Sequence, residues 1–246
     1  MFLWNIHLPI EQQSAYFRII LFLYIIASAK EHGYKPAVKK GSEDTSMSIL
    51  IVVSHPRQDS LTFQVARRFA EGLTAAGHGY EILDLHGIGF DPVLQGREEL
   101  HMTAGEQEQP YSPELEREME RVRQHDGLAF VFPLWWWHLP AMLKGYIDRV
   151  VNNRVAYGTN NLHGYRALWL ALAGVTKAQM KKRSYDEATA RLLNVGIADY
   201  CGITDSRVEF LYDTASSAPG HREALLEQAY QAGLHYGKGK TDKSQE

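Results

Sequence analysis

From Met47 onward, short unbroken apolar runs alternate with stretches in which apolar positions recur every three or four residues. Ile49-Leu50-Ile51-Val52-Val53 has no polar interruption, the pattern of a strand covered on both faces. Asp59 and Ser60 then stand as N-cap residues before Leu61, Val65, Phe69 and Leu73, whose spacing predicts a helix that Gly77 stops. Tyr80–Leu85, Leu128–Phe132, Ala167–Leu172 and Val208–Tyr212 read as four further strands. A charged helix begins at Ser112 as cap, with Pro113 in its first position. Another runs from about Pro140 to Val151, with Leu139, Met142, Leu143, Tyr146, Ile147 and Val150 on one stripe. Helices are also predicted over Tyr185 to Tyr200 and Gly220 to Gly233. Residues 87–111, broken by Pro92, Gly96, Gly105 and Pro110, form a long loop, and such loops in compact domains are more often functional than idle.

Five strands alternating with helices imply an α/β protein: a parallel sheet with right-handed crossovers and helices on both faces. At this size the common solution is the three-layer flavodoxin-like fold, with strand order 2-1-3-4-5. Residues 47–237 are expected to form this domain, and the polar tail 238–246 to be disordered. The first 46 residues differ. The run Ile19 to Ile26 before Ala27-Ser28-Ala29 superficially resembles a signal-peptide core, yet it is far shorter than the roughly 20 apolar residues that span a bilayer. Glu31 to Ser46 is linker-like, so 1–46 reads as an N-terminal extension outside the fold and the protein as cytoplasmic, with translocation as the other reading.

Composition narrows the partners. The 26 basic and 29 acidic residues give a net charge of −3, which suggests neither nucleic acid nor an acidic membrane surface. Cys201 is alone, which excludes an internal disulfide and any Cys-x-x-Cys motif, and no histidine pair has the spacing of a helical zinc site. No metal is expected.

The candidate chemistry gathers where strands end. Pro133 cannot donate a ladder hydrogen bond, so the third strand should stop there and Trp135, Trp136 and Trp137 should sit on the turn beyond. Three rings cannot all point inward from one turn, so at least one faces a cleft or a partner subunit; a planar aromatic cofactor would suit such a wall. The first strand delivers Ser54-His55-Pro56-Arg57-Gln58-Asp59-Ser60-Leu61-Thr62 into a helix N-terminus, a natural phosphate site that hydroxyls and basic side chains would reinforce. An ordinary capped helix would look the same. Gly174, just past the fourth strand, allows close backbone approach to a ligand or simply a turn. Gly87-Ile88-Gly89 lacks the third glycine of a dinucleotide fingerprint. Together the three loops read as a site for a flavin mononucleotide-like group.

Ser-His-Pro-x-x-x-Ser-Leu-Thr after the first strand, Phe-Pro-Leu-Trp-Trp before the third helix and Pro-Ala-Met-Leu-Lys-Gly-Tyr-Ile-Asp-Arg-Val within it resemble the NAD(P)H:quinone oxidoreductase family over residues 47 to 235. The triple-aromatic form is especially similar to bacterial members known as NAD(P)H oxidoreductases. The resemblance implies a homodimer binding FAD, or alternatively FMN, that passes hydride from NAD(P)H to a quinone. It places His55, Ser60, Leu61 and Thr62 at the flavin phosphates, where Arg57 adds a charge-assisted donor of its own. Pro133, Leu134, Trp135, Trp136 and Trp137 would line the ring and substrate pocket, Gly174 would approach the ring, and Tyr157 would stand near the quinone. The family often carries Thr-Thr-Gly-Gly after the fourth strand, then a catalytic tyrosine and histidine. Leu172-Ala173-Gly174-Val175 lacks the hydroxyls here, and Tyr185 is a loose candidate for the tyrosine. Because some members are ancillary subunits of potassium efflux systems, a flavin-binding regulatory subunit on a membrane transporter is the alternative. An electron-carrier flavodoxin would need a strongly acidic face, and a phosphoacceptor domain acidic residues where Ser54-His55 and Phe132-Pro133 stand.

Overall fold

The protein is described from a computed structural model, which covers residues 46–96, 98, 111–151, 155–156 and 161–237. Five strands, β1 (Ser48–Val53), β2 (Gly79–Asp84), β3 (Gly127–Pro133), β4 (Arg166–Leu172) and β5 (Asp205–Leu211), pair in parallel in the order β2-β1-β3-β4-β5. This is the flavodoxin-like order expected from the alternation. Alternate residues of β1 feed opposite faces: Ile49, Ile51 and Val53 join one apolar cluster, Leu50 and Val52 the other. Burial on both sides is why this strand has no polar position after Ser48.

The first face is covered by α1 (Leu61–Ala75) and α6 (His221–Leu234). These helices cross at glycines; a Cβ at Gly72 or Gly233 would strike the opposing backbone. The other face is covered by α2 (Pro113–Arg123) and α3 (Ala141–Val150). Ser60 caps α1 rather than Asp59, and Ser112 caps α2 with Pro113 in the first turn. Two short helices, α4 (Lys177–Lys181) and α5 (Tyr185–Arg191), follow β4. The helix expected from Tyr185 to Tyr200 does not stay α: Leu192–Ala198 widens to a π-helix and Asp199–Cys201 tightens to a 3₁₀ turn. The wider i→i+5 repeat brings Leu193 and Ala198, both buried, to the same side. A buried polar chain anchors this segment, with Trp169 Nε1 donating to Ser206 Oγ at 3.0 Å and Ser206 Oγ to Asn194 Oδ1 at 2.7 Å. Among the described residues no helix is long and apolar enough to cross a membrane. The tail 238–246 and the extension up to residue 45 lie outside the described residues.

The loop after β2 is held against α3 by two devices. Gly145 is packed so closely that a Cβ there would run into the backbone of Pro92. Arg149, only 4% exposed, forms a two-pronged pair with Glu98 (5% exposed) at 2.9 and 2.8 Å and also donates to the Asp91 carbonyl. Its guanidinium lies over the Phe90 ring as well, 5.3 Å from the centroid. The apolar stripe gave no hint of a buried cation. Breaking a buried pair leaves the surviving charge uncompensated, so Arg149→Ala should lower the unfolding free energy in urea titration by about 3–5 kcal/mol. A loss below about 1 kcal/mol, typical of a surface pair, would show that this latch is not needed.

Candidate functional site

In a parallel sheet every strand ends at the same edge, which gathers the loops after β1, β3, β4 and β5. The first loop begins where Ser54 donates its N–H to Val131 across the sheet. His55 Nδ1 lies 3.0 Å from the Arg57 N–H and 3.2 Å from the Arg57 carbonyl, so either ring tautomer makes a hydrogen bond to Arg57. Burial, with Arg57 and His86 adding repulsion, lowers the His55 pKa and favours this neutral ring. Gln58 is tethered by Asp84 at the end of β2 (2.9 Å), and the same carboxylate accepts from Gly87 N–H at 2.9 Å. The glycine pair Gly87 and Gly89 thus serves a turn.

Ser60 and Thr62 are buried at the start of α1, and Leu61 is half-buried. Ser60 Oγ reaches only Phe63 N–H, at a long 3.4 Å. Among the described residues the Leu61 and Thr62 N–H groups have no acceptor in the protein. A helix end with its donors available in this way can accept an anion. Arg57 is largely exposed and only loosely paired with Asp59, at 3.7 Å. Next to this end lies a cavity of about 260 Å³ lined by Arg57, Asp59 and Ser60 together with Thr214, Ser216 and Arg222, whose guanidinium also donates to Gln64 Oε1 at 3.0 Å. The residues after β5 carry no motif and were not singled out from sequence. Their position past the carboxyl end of a parallel strand was the available signal.

The tryptophan turn departs most from ordinary geometry. Pro133 closes β3, and it needs no donor because its nitrogen faces the side where β1 has already ended; Leu134 N–H, facing the other way, bonds Leu172 O at 2.8 Å. The Leu134 side chain packs against the core, so only its backbone is left for a ligand. Trp135 and His138 form an antiparallel bridge closed by His138 N–H to Trp135 O at 3.1 Å. Trp136 and Trp137 between them have φ of 52° and 65°. Two consecutive positive φ values define the hairpin turn normally made by Asn-Gly. Two tryptophans there store strain on the order of 1–3 kcal/mol each, and such strain collects at functional sites.

All three rings are exposed, Trp135 by 45%, Trp136 by 95% and Trp137 by 36%, where the sequence called for at least one outward ring. Trp135 stands 5.9 Å from the His55 ring, which joins the aromatic turn to the phosphate loop. Trp137 stacks on Tyr185 at 4.2 Å and 21°, so the loosely assigned tyrosine does reach the site. Tyr157 lies outside the described residues.

Gly174 closes the arrangement. Its φ is not positive, and a Cβ would meet nothing within 4 Å. Neither strain nor internal packing calls for glycine there, and the space above it is open. The N–H groups of Gly174 and Val175 have no acceptor among the described residues, while Asp213 N–H to Val175 O (2.8 Å) and Thr214 N–H to Ala173 O (3.0 Å) hold the loop rigid. The site therefore offers free amides at a helix end, three exposed indoles and an open backbone edge, which fit a phosphate-bearing planar ring.

The chain belongs to the flavodoxin-like fold family, whose profile matches residues 47–234. Within it, the chain is similar to an NAD(P)H oxidoreductase of Escherichia coli, YcaK: 36% identical over 69% of this chain and 85% of that one. An NAD(P)H oxidoreductase of Haemophilus influenzae is 29% identical over 75% and 93% of the two chains. Among solved structures, the NAD(P)H:quinone oxidoreductase from Methanothermobacter marburgensis superimposes with a TM-score of 0.73 at 31% identity, covering 78% of this chain and 98% of that one.

Because Trp136 makes almost no contact with the protein, Trp136→Gly should relieve the turn at little packing cost and stabilise the fold by about 1 kcal/mol. The same variant should retain flavin more weakly after reconstitution. A destabilised Trp136→Gly protein in calorimetry would show that the strain is absent or compensated.

Proposed function

We propose that residues 47–237 form a flavin-dependent NAD(P)H:quinone oxidoreductase. The observation that carries this reading is the coincidence, at one sheet edge, of free α1 amides, three exposed tryptophans on a strained turn, and a glycine with open space above it. The similar proteins named above act on NAD(P)H, and one acts on quinones. When bound, a flavin supplies the hydride acceptor and donor that no side chain of this protein provides.

The Leu61 and Thr62 amides, with Ser60 and the His55 ring, hold phosphate. Gly174 and Val175 present their amides to the polar edge of the ring. Trp135, Trp136 and Trp137 cover the apolar faces and shed water from the slot, with Tyr185 bracing Trp137 by stacking. The Tyr185 hydroxyl is assigned to the acceptor's oxygen, and Tyr157 to the quinone by family resemblance. We assign FAD rather than FMN because the 260 Å³ cavity beyond Ser60 adds Arg57, Arg222, Thr214 and Ser216 as donors for a second phosphate and its nucleoside. That volume suits one part of a dinucleotide, not the whole.

One exposed aromatic slot must accept nicotinamide and quinone in turn, so the first product leaves before the second substrate enters. Double-reciprocal plots with NAD(P)H and a benzoquinone should be parallel, on protein that keeps FAD through gel filtration. Intersecting lines, or reconstituted protein that loses both FAD and FMN, would sink the reading.

A homodimer follows from the apolar side chains left uncovered. Besides Trp136, the π-helix and its 3₁₀ continuation expose Leu192, Val195 and Tyr200, and monomers rarely leave such residues in groups. Sedimentation at micromolar concentration should give a dimer, and Leu192→Glu with Val195→Glu should shift it to monomer. A monomeric wild type would remove this assignment.

A further inference from the structure

Between Gly174 and Tyr185, which stand on two walls of the site, the chain reads Val175-Thr176-Lys177-Ala178-Gln179-Met180-Lys181-Lys182-Arg183-Ser184. Its four cations, Lys177, Lys181, Lys182 and Arg183, are all exposed. Among the described residues none of the four has an ion-pair partner. The capping box between Thr176 and Gln179 already occupies the amino end of α4, so any anion here must be met by side chains. The anchoring is firm at both ends: the Asp213 and Thr214 amides brace the loop at Gly174, and Tyr185 is stacked on Trp137. Acidic groups nearby are Asp186 and Glu187 in the first turn of α5 and Asp213 beside Val175, so the cations outnumber them.

The flavin phosphates are accounted for elsewhere, at the α1 end and the Arg57–Arg222 cavity. A second run of cations, on the segment that leads from Gly174 to Tyr185, is not needed to hold the cofactor. The incoming reductant, by contrast, brings a pyrophosphate, and in NADPH a further phosphate on the adenosine ribose. We propose that Lys177, Lys181, Lys182 and Arg183 form the docking edge for the phosphates of the nicotinamide co-substrate and make the enzyme prefer NADPH over NADH. The inference rests on the function proposed above but concerns separate residues. A charged rim acts by long-range steering, so its effect is greatest at low salt and fades as the screening length shrinks.

The test is the variant Lys177→Gln/Lys181→Gln/Lys182→Gln/Arg183→Gln against wild type, both reconstituted with flavin. The first readout is the ratio of kcat/KM for NADPH to kcat/KM for 1-benzyl-1,4-dihydronicotinamide, which carries no phosphate. It should fall about tenfold in the variant at low ionic strength, the lower end of known steering effects. The NADH ratio should fall less. The second readout is NADP⁺ affinity by titration calorimetry at low and high salt, which should weaken in the variant and lose most of its salt dependence. Equal ratios and equal NADP⁺ affinity in the two proteins would overturn the docking edge. Salt-dependent NADP⁺ binding that the variant loses, in a protein whose flavin no dihydronicotinamide reduces, would keep the docking edge and overturn the oxidoreductase.

Discussion

Covering a parallel sheet on both faces leaves one kind of place where backbone groups can stay unsatisfied: the edge at which the strands end. β1, β3 and β4 have every ladder position paired and both faces packed. Nothing inside that slab can bind a ligand. The chain emerges at the carboxyl edge with amide hydrogens that the ladder no longer uses, at Leu61, Thr62, Gly174 and Val175. The site is thus a by-product of satisfying the sheet, and the loops differ only in what each adds to those amides: hydroxyls after β1, indoles after β3, nothing but space after β4.

Much of the strand pattern was legible because it is dictated by burial, and burial leaves a period in the sequence. The aromatic turn was legible for a different reason: a proline ending an apolar run followed by three tryptophans admits few geometries. What stayed hidden were features that depend on partners far along the chain. Arg149 sits on the apolar stripe of α3, and only its meeting with Glu98, 51 positions away, makes a buried cation tolerable. The π-helix was hidden too, because Asn194 reads as an ordinary helix residue until Ser206 and Trp169 are placed beside it. Thr214, Ser216 and Arg222 carry no local signature and become binding candidates only when the topology sets them next to Ser60.

Rigid and strained parts are arranged around each other. Asp84 ties the phosphate loop to β2, Asp213 and Thr214 tie the Gly174 loop to β5, and α3 is clamped by the 87–98 loop. Between these braced supports hangs a turn that would be easier to build from asparagine and glycine. A strained element persists only where its surroundings over-determine it, and here the supports on three sides do so. The indoles are held outward, at the cost of backbone energy, by a frame whose own bonds are unremarkable.

The tryptophans also divide the molecule optically. Trp169 is sealed in the core, stacked on Phe130 at 4.3 Å and 16°. Trp135, Trp136 and Trp137 stand in water on the opposite side of function. Emission from the buried indole follows whether the slab is intact, while the red-shifted emission of the turn follows what lies over the slot. Apart from Trp4, which lies outside the described residues, these four indoles carry two separable signals, one for folding and one for occupancy, without any label being introduced.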